Sequence, residues 1–288
     1  MTALDIDRIR AAFPGRRIDY YASVDSTMRA AVGLEAGSVV LAEEQTAGQG
    51  RLGRTWHSEA GAGIYCSMAL RPMPALTLAL GLAAQSAILE ATGLMCDIRW
   101  PNDLLLGGKK VAGILVHGAD GVGICGIGIN VGHTEFPAEL EGVATSLRIE
   151  LNKKAGGPAN DAGTPARPTW GRMPSCAAIA NRRAGRLTIG PQVACRPTCP
   201  TSLPSSTEIV VSLLKAIDRF ASLGKDEVLR LFTQSSSYAC GRRVRVEQPN
   251  GAIEGTTAGL DPSGFLIVRK DDGTDTLVLA GGVRAAGS

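Results

Sequence analysis

The sequence predicts an α+β fold, a mixed sheet with flanking helices followed by a small β-barrel, and three stretches carry that prediction. Ile64, Cys66, Met68 and Leu70 recur with period two, as the buried face of a strand does. Leu76 to Leu94 is a proline-free run rich in Leu, Ala and Ile that stops near Gly93, the pattern of a helix covering a sheet. Towards the C-terminus four short segments, Val244 to Glu247, Ala252 to Gly259, Phe265 to Arg269 and Thr276 to Leu279, are separated by Pro-Asn-Gly, Asp-Pro-Ser-Gly and Asp-Asp-Gly turns. Short strands joined by tight turns predict the barrel.

Between these stretches the pattern is equally readable. Cys96 to Trp100 and Leu104 to Leu106 read as short strands, Gly107-Gly108 as a hairpin turn, Lys110 to His117 as the returning strand, and Val122 to Val131 as the next. Ser205 with Glu208 three residues on forms a capping-box pattern. It precedes Ile209, Val210, Leu213, Leu214, Ile217 and Phe220, the apolar stripe of an amphipathic helix. One segment breaks the rhythm. Residues 151–205 hold eight of the fifteen prolines and almost no periodicity, and such a composition cannot offset its ordering entropy. The expected organisation is therefore a larger domain over residues 1–235 carrying a disordered insertion at 151–205, and a smaller one over residues 238–288.

Charge bounds the partners. The 288 residues carry 30 Lys and Arg against 27 Asp and Glu, but eight of those bases and a single acid lie in 151–205. The remainder has 22 bases and 26 acids, so no nucleic-acid footprint is expected. Seven scattered cysteines, an odd number, suit free thiols in a reducing cytosol better than a disulfide framework. The start, MTALDIDRIRAAF, lacks a signal-peptide apolar block, and no apolar run reaches the ~18 residues of a membrane span; a cytoplasmic location without membrane attachment is expected.

Three segments carry chemistry. Glu43 to Trp56, EEQTAGQGRLGRTW, sets Gly48, Gly50 and Gly53 among Arg51 and Arg54: glycines let backbone N–H groups approach an anion, and arginines add charge-assisted donors. A flexible surface turn gives the same pattern. Arg99 to Leu115, RWPNDLLLGGKKVAGIL, returns Lys110 onto a strand at the rim of the core, either to meet an anion or to guard a strand edge. Ala22 to Met28 places Ser26 and Thr27 at a helix start, as a cap or as hydroxyl partners for a polar ligand. His57, His117, His133 and the Cys195-x-x-x-Cys199 pair form no closed four-ligand set, so no structural metal is expected.

Taken in order, Ser26-Thr27, Gly48 to Arg54, Arg99 to Asp103, Lys110 to Leu115 and Gly126 to Val131 closely resemble the motif series of the biotin protein ligases. The resemblance covers about Arg17 to Glu150 and, more loosely, Ser205 to Ala285. It implies the biotin/lipoate ligase, class II synthetase-like mixed sheet and an SH3-like C-terminal barrel. It also implies ATP-dependent formation of biotinyl-5′-adenylate and transfer of biotin to a lysine of a carrier protein, that of acetyl-CoA carboxylase or a related carboxylase. The implied biotin site is Ser26, Thr27, Met28, Gln45, Gln49, Gly50, Arg51 and Lys110, with Arg51 and Lys110 catalytic. Arg54, Trp56, Asn102, Asp103, Asn130 and Arg284 are implied at the nucleotide, with Asp103 near Mg²⁺.

Against the family pattern, Gln49 and Leu52 stand where arginines are frequent, Arg99 replaces lysine and Met28 replaces asparagine. About sixteen residues precede the first strand, too few for a winged-helix domain, so DNA binding is not expected; a homodimer is compatible. Lipoate or octanoate ligases and transferases of the same fold are the first rival, and an inactive biotin-binding remnant the second. Deleting residues 151–205 is expected to preserve solubility and a cooperative thermal transition, measured by melting the deletion variant beside the parent.

Overall fold

The computed structural model describes residues 3–119, 121–156, 203–248 and 251–286. Seven strands form the main sheet: β1 (Ile18–Tyr21), β2 (Val39–Ala42), β3 (Gly63–Leu70), β4 (Asp97–Arg99), β5 (Asp103–Leu106), β6 (Lys109–Ala119) and β7 (Val122–Asn130). Their spatial order is β1-β2-β3-β7-β6-β5-β4, with β1 and β2 parallel and every other pair antiparallel, so the sheet is mixed as expected.

Helix α1 (Ile6–Ala12), which the sequence reading did not mark, starts where the Asp5 side chain accepts from Arg8 N. Helix α2 (Thr27–Ala30) lies on the opposite face of the sheet from α3 (Leu76–Thr92), which joins β3 to β4 and ends on Gly93 in a left-handed conformation. A helix buried nearly all round must be covered on both sides. The sheet covers one side of α3, and α5 (Ser206–Ala221) and α6 (Lys225–Ser235) cover the other. The capping box opening α5 is formed: the Ser205 hydroxyl accepts from Glu208 N at 3.2 Å and Ser205 N donates to Glu208 Oε2 at 3.2 Å.

Helix α4 (Leu147–Gly156) corrects one boundary. The segment read as unstructured from residue 151 begins as helix, since Leu151 to Gly156 carry no proline and continue the turn begun at Leu147. The rest of that expectation, residues 157–202, lies outside the described residues. A deletion confined to 157–202 keeps both α4 and the Ser205 cap.

Five antiparallel strands make the second sheet: β8 (Cys240–Gln248), β9 (Gly251–Leu260), β10 (Leu266–Arg269), β11 (Asp275–Val278) and β12 (Gly282–Ala285), ordered β11-β10-β9-β8-β12. All four C-terminal strands expected from the turns are present, and β12 is added beside β8. Val244, Val246, Leu266, Val268, Val278 and Val283 belong to the same buried cluster as α3 and the main sheet. Polar links cross the junction as well: Trp100 Nε1 donates to Gly264 O at 3.0 Å, and the Ser236 hydroxyl to Ile98 O at 2.5 Å. No helix among the described residues is long and apolar enough to cross a membrane.

Ser205→Ala is expected to lower stability by about 1 kcal/mol, the usual cost of losing a serine N-cap. Urea denaturation of the variant against the parent measures it.

Candidate active site

The cleft lies on the α2 face of the main sheet, and its floor is made of small residues. Neighbouring strands bring Ser67, Gly126 and Leu115 abreast, and Tyr65, Gly128 and Gly113 abreast one step further along. A Cβ on Gly128 would fall 2.4 Å from Trp56 Cε2, and one on Gly126 2.7 Å from Met28 Sδ. Glycine is therefore required at both positions for Trp56 and Met28 to lie on the sheet.

One wall is uncharged and polar. Thr27 N and the Thr27 hydroxyl both donate to Gln45 Oε1 at 2.9 Å, so the proton between Thr27 Oγ1 and Ser67 Oγ, 2.8 Å apart, comes from Ser67. Gln45 Nε2 reaches Ser58 Oγ at 3.2 Å. The Ser26 hydroxyl is buried without a hydrogen-bond partner and does not cap α2, although Ser26 stands at the N-cap.

The opposite end is cationic, and a β-bulge makes it so. The β5–β6 register runs Leu104↔Ala112 and then Leu105↔Lys110, leaving Val111 as an extra residue. Side chains alternate along a strand, so in an unbroken register Lys110 would share the core face with Ala112. The bulge turns it instead towards Gly113 and Asp103. Lys110 Nζ lies 2.6 Å from Asp103 Oδ1, in an ion pair angled away from hydrogen-bond geometry, and 5.2 Å from the centre of the Trp56 ring. Arg99 Nη2 donates to Asp103 Oδ2 at 2.7 Å. Burial pushes the Asp103 carboxyl up, but Lys110 and Arg99 together outweigh it and hold it below its ordinary value.

Asn102 ties the Trp-Pro-Asn-Asp corner to this arrangement. The Trp100–Pro101 bond is cis. Asn102 Nδ2 donates to Ile114 O at 2.9 Å while Ile114 N donates to Asn102 O at 2.9 Å, clamping the corner on β6. The remaining oxygen, Asn102 Oδ1, accepts from Arg51 Nη1 at 2.8 Å. Arg51 thus enters the cleft from the glycine loop, itself pinched by Gly50 N to Arg54 O at 2.7 Å and Trp56 N to Gly48 O at 2.9 Å. Burial lowers the Arg51 pKa from its ordinary value, with Asp103 opposing and Arg54 reinforcing; at neutral pH the guanidinium stays charged. At the loop tip the exposed Leu52 is held at φ 57°, a left-handed conformation costing a non-glycine residue roughly 1 kcal/mol or more.

Thr27, Met28, Gln45, Gln49, Gly50, Arg51, Trp56, Asn102 and Lys110 all line one cleft. The other expected residues stand apart from its lining. Ser26 lies just behind Thr27, and Arg54 is exposed on the loop. Asn130 is buried, its amide donating to Thr145 O at 3.0 Å, which gives it a structural task. Arg284 is exposed on β12, opposite Arg245. Asp103 is the counter-ion of two cations, and its Oδ1 makes no hydrogen bond. The sequence reading missed Ser67 and Ser58 and gave no individual role to glycines 113, 126 and 128 of its motif segments, because those roles depend on strand neighbours. It also missed a convergence of His57, Glu59 and His133, whose ligating atoms lie within 4.8 Å of one another.

Two variants test this geometry. Gly128→Ala should displace Trp56 at a cost of about 1–3 kcal/mol, the usual penalty for overpacking, read as increased quenching of tryptophan fluorescence and a lower midpoint in urea. Asp103→Ala should destabilise the fold by about 2 kcal/mol at neutral pH, by leaving Lys110 and Arg99 facing one another. The Asp103 carboxyl titrates lower in the folded chain than in the unfolded one. Its contribution is therefore complete above the unfolded pKa and is lost only as pH falls through the folded one, so parent and variant should converge in stability only in strong acid.

Comparison with known proteins agrees with this anatomy. Residues 20–133 match the Biotin/lipoate A/B protein ligase family, and residues 239–282 match the Biotin protein ligase C terminal domain. The Bacillus subtilis bifunctional ligase/repressor BirA is 41% identical over 49% of this chain and 49% of its own. The Mycobacterium tuberculosis biotin–[acetyl-CoA-carboxylase] ligase is 40% identical over 46% of this chain and 55% of its own. The chain thus spans about half the length of the curated relatives it matches. Among solved structures, the Aquifex aeolicus biotin protein ligase in complex with biotin and ATP aligns with TM-score 0.69 at 24% identity, over 94% of this chain and 99% of that one. The Leishmania major biotin protein ligase in complex with biotin aligns with TM-score 0.54 at 22% identity, over 92% and 98%. The two family models thus match in order along the chain, and the fold is shared with solved biotin protein ligases along almost its whole length.

Proposed function

We propose that this chain activates biotin with ATP to biotinyl-5′-adenylate and then transfers the biotinyl group to a lysine of a biotin carboxyl carrier protein. The observation that carries the reading is the polarity of the cleft. Its Thr27–Gln45–Ser67 wall is uncharged, its floor is flat glycine, and its far end holds Arg51 and Lys110. A small acid with a neutral hydrogen-bonding head and a terminal carboxylate fits that gradient. The family relatives named for biotin, and the neighbour solved with biotin and ATP, support the same substrates.

The first step joins two anions: a biotin carboxylate oxygen attacks the α-phosphorus of ATP, and the bond to pyrophosphate breaks. Like charges oppose that approach, so the gain comes from positioning and from fixed cations. Lys110 and Arg51 supply them. Asp103 keeps Lys110 oriented, and Asn102 keeps Arg51 in reach. In the second step the carrier lysine amine attacks the acyl carbon, loses a proton, and AMP leaves. The mixed anhydride must be kept from water in between, a task suited to the Gly48–Trp56 loop lying over the cleft. Mg²⁺ would neutralise phosphate charge, and Asp103, whose Oδ1 makes no hydrogen bond, is the carboxylate that would hold it there.

Biotin should support ATP–pyrophosphate exchange, and exchange with lipoate or octanoate but not biotin would overturn the reading. Lys110→Ala and Arg51→Ala should each weaken adenylation by about 2–4 kcal/mol, roughly 30- to 1,000-fold in kcat/KM. Arg51→Ala should also release the adenylate faster than the parent does; equal release with equal adenylation would reduce the arginine loop to a solvated turn.

A further inference from the structure

The convergence of His57, Glu59 and His133 lies outside the residues used above. His57 and Glu59 follow Trp56 on the stem of the glycine loop, and His133 follows β7. Their potential ligand atoms, two imidazole nitrogens and a carboxylate oxygen, all lie within 4.8 Å of one another. His133 is the unusual member: it is 1% exposed, and neither ring nitrogen has a hydrogen-bond partner. A buried imidazole with both nitrogens unsatisfied carries a desolvation cost that a ligand would relieve. Its ring is fixed by stacking on Phe136 at 5.0 Å, and it faces the His57 ring at 5.9 Å.

The backbones that carry the three groups are also held. Ala62 O accepts from Val131 N at 3.1 Å and Gly132 N at 2.6 Å, joining the segment after His57 to the one before His133. Tyr65 Oη donates to Glu59 O at 2.9 Å, and Ser146 Oγ donates to His133 O at 2.6 Å. Burial first, and the neighbouring His57 second, push the His133 pKa down to about 4.

We propose that His57, Glu59 and His133 form a binding site for one zinc-class divalent cation, which fastens the stem of the glycine loop to the end of β7. Two imidazoles and one carboxylate make the three-protein-ligand set of an open zinc centre, with water completing the shell. Nitrogen donors suit zinc, cobalt or nickel and disfavour the all-oxygen shell of magnesium, so this ion is chemically distinct from the one accompanying ATP. Ligands of a tetrahedral zinc stand roughly 3.4 Å apart, closer than the 4.8 Å within which these atoms lie, so binding must draw the groups together. The half-buried His57 and the exposed Glu59 are the groups able to move inwards.

The test uses the full chain stripped with chelator and titrated with Zn²⁺ by calorimetry and with Co²⁺ by absorption. Because thiolates as a class also bind these ions, the Co²⁺ spectrum should show the visible bands of a nitrogen and oxygen shell, without near-ultraviolet thiolate charge transfer. One equivalent should bind, and His57→Ala and Glu59→Gln should each weaken it at least tenfold, the range seen even for outer-shell partners of a metal. His117→Ala, at an exposed histidine outside the cluster, should leave it unchanged. Zn²⁺ should raise the melting temperature of the parent but not of His57→Ala, separating ligation from a merely structural role. No binding at micromolar Zn²⁺, affinity unchanged in both variants, or a thiolate spectrum lost on replacing cysteines would each overturn the proposal.

Discussion

A lysine ammonium half-buried over the face of a sheet needs a counter-charge, and Asp103 supplies it. The rest of the site follows from that pair. The carboxylate is itself buried, and Lys110 first and Arg99 second hold its pKa below the ordinary value, Arg99 through the 2.7 Å contact that β4 and β5 make possible. Asn102, the next residue back, uses its backbone and both ends of its side chain to hold the corner on β6 and draw Arg51 inwards. Two cations are thereby fixed at one end of a cleft at the expense of a single carboxylate. The excess positive charge is what an anionic substrate would neutralise, and the surrounding low-dielectric walls of glycine and tryptophan strengthen that attraction.

The floor shows a second constraint, that of space. Gly113, Gly126 and Gly128 weaken their strands, since glycine loses more conformational freedom than other residues on ordering. What they permit is contact between whole side chains and the sheet. Trp56 lies flat enough to cover two strands, and it presents its ring to the Lys110 ammonium, where cation–π attraction adds to the pull of Asp103. Met28, from α2, closes the floor at the uncharged end, where its flexible thioether accommodates an irregular surface. The loop, the helix and the strand are thus held in one arrangement by contacts that would not survive a single methyl group.

The C-terminal sheet bears on the same corner. Trp100 stands between Arg99 and Pro101 and donates its indole N–H to Gly264 O. Ser237 donates to Asp97 through both its backbone N–H and its hydroxyl, and Arg242 donates to the Ser237 hydroxyl. The strand that carries Arg99 is therefore braced from outside the main sheet. Apolar burial shared across the junction makes the two sheets one hydrophobic unit.

Periodicity and turn chemistry are local properties, and for that reason the sequence by itself determined most of the elements: β3, α3, the β4–β7 series, the Ser205 cap and the C-terminal strands. The motif series determined which side chains line the cleft, from Thr27 to Lys110, because those residues carry their chemistry in short segments. Only the tertiary structure decided which way they face. One extra residue at Val111 reverses the side of the sheet on which Lys110 stands, and no local pattern announces it. Asp103, legible as an acid near the site, became a counter-ion once two cations from different strands met it. Asn130 became a brace through Thr145. His57 and His133 lie far apart in sequence with unremarkable neighbours, so their meeting with Glu59 depends on the pairing of β3 with β7. The physical reason is the same throughout: residue type sets what a group can do, and long-range packing sets what it meets.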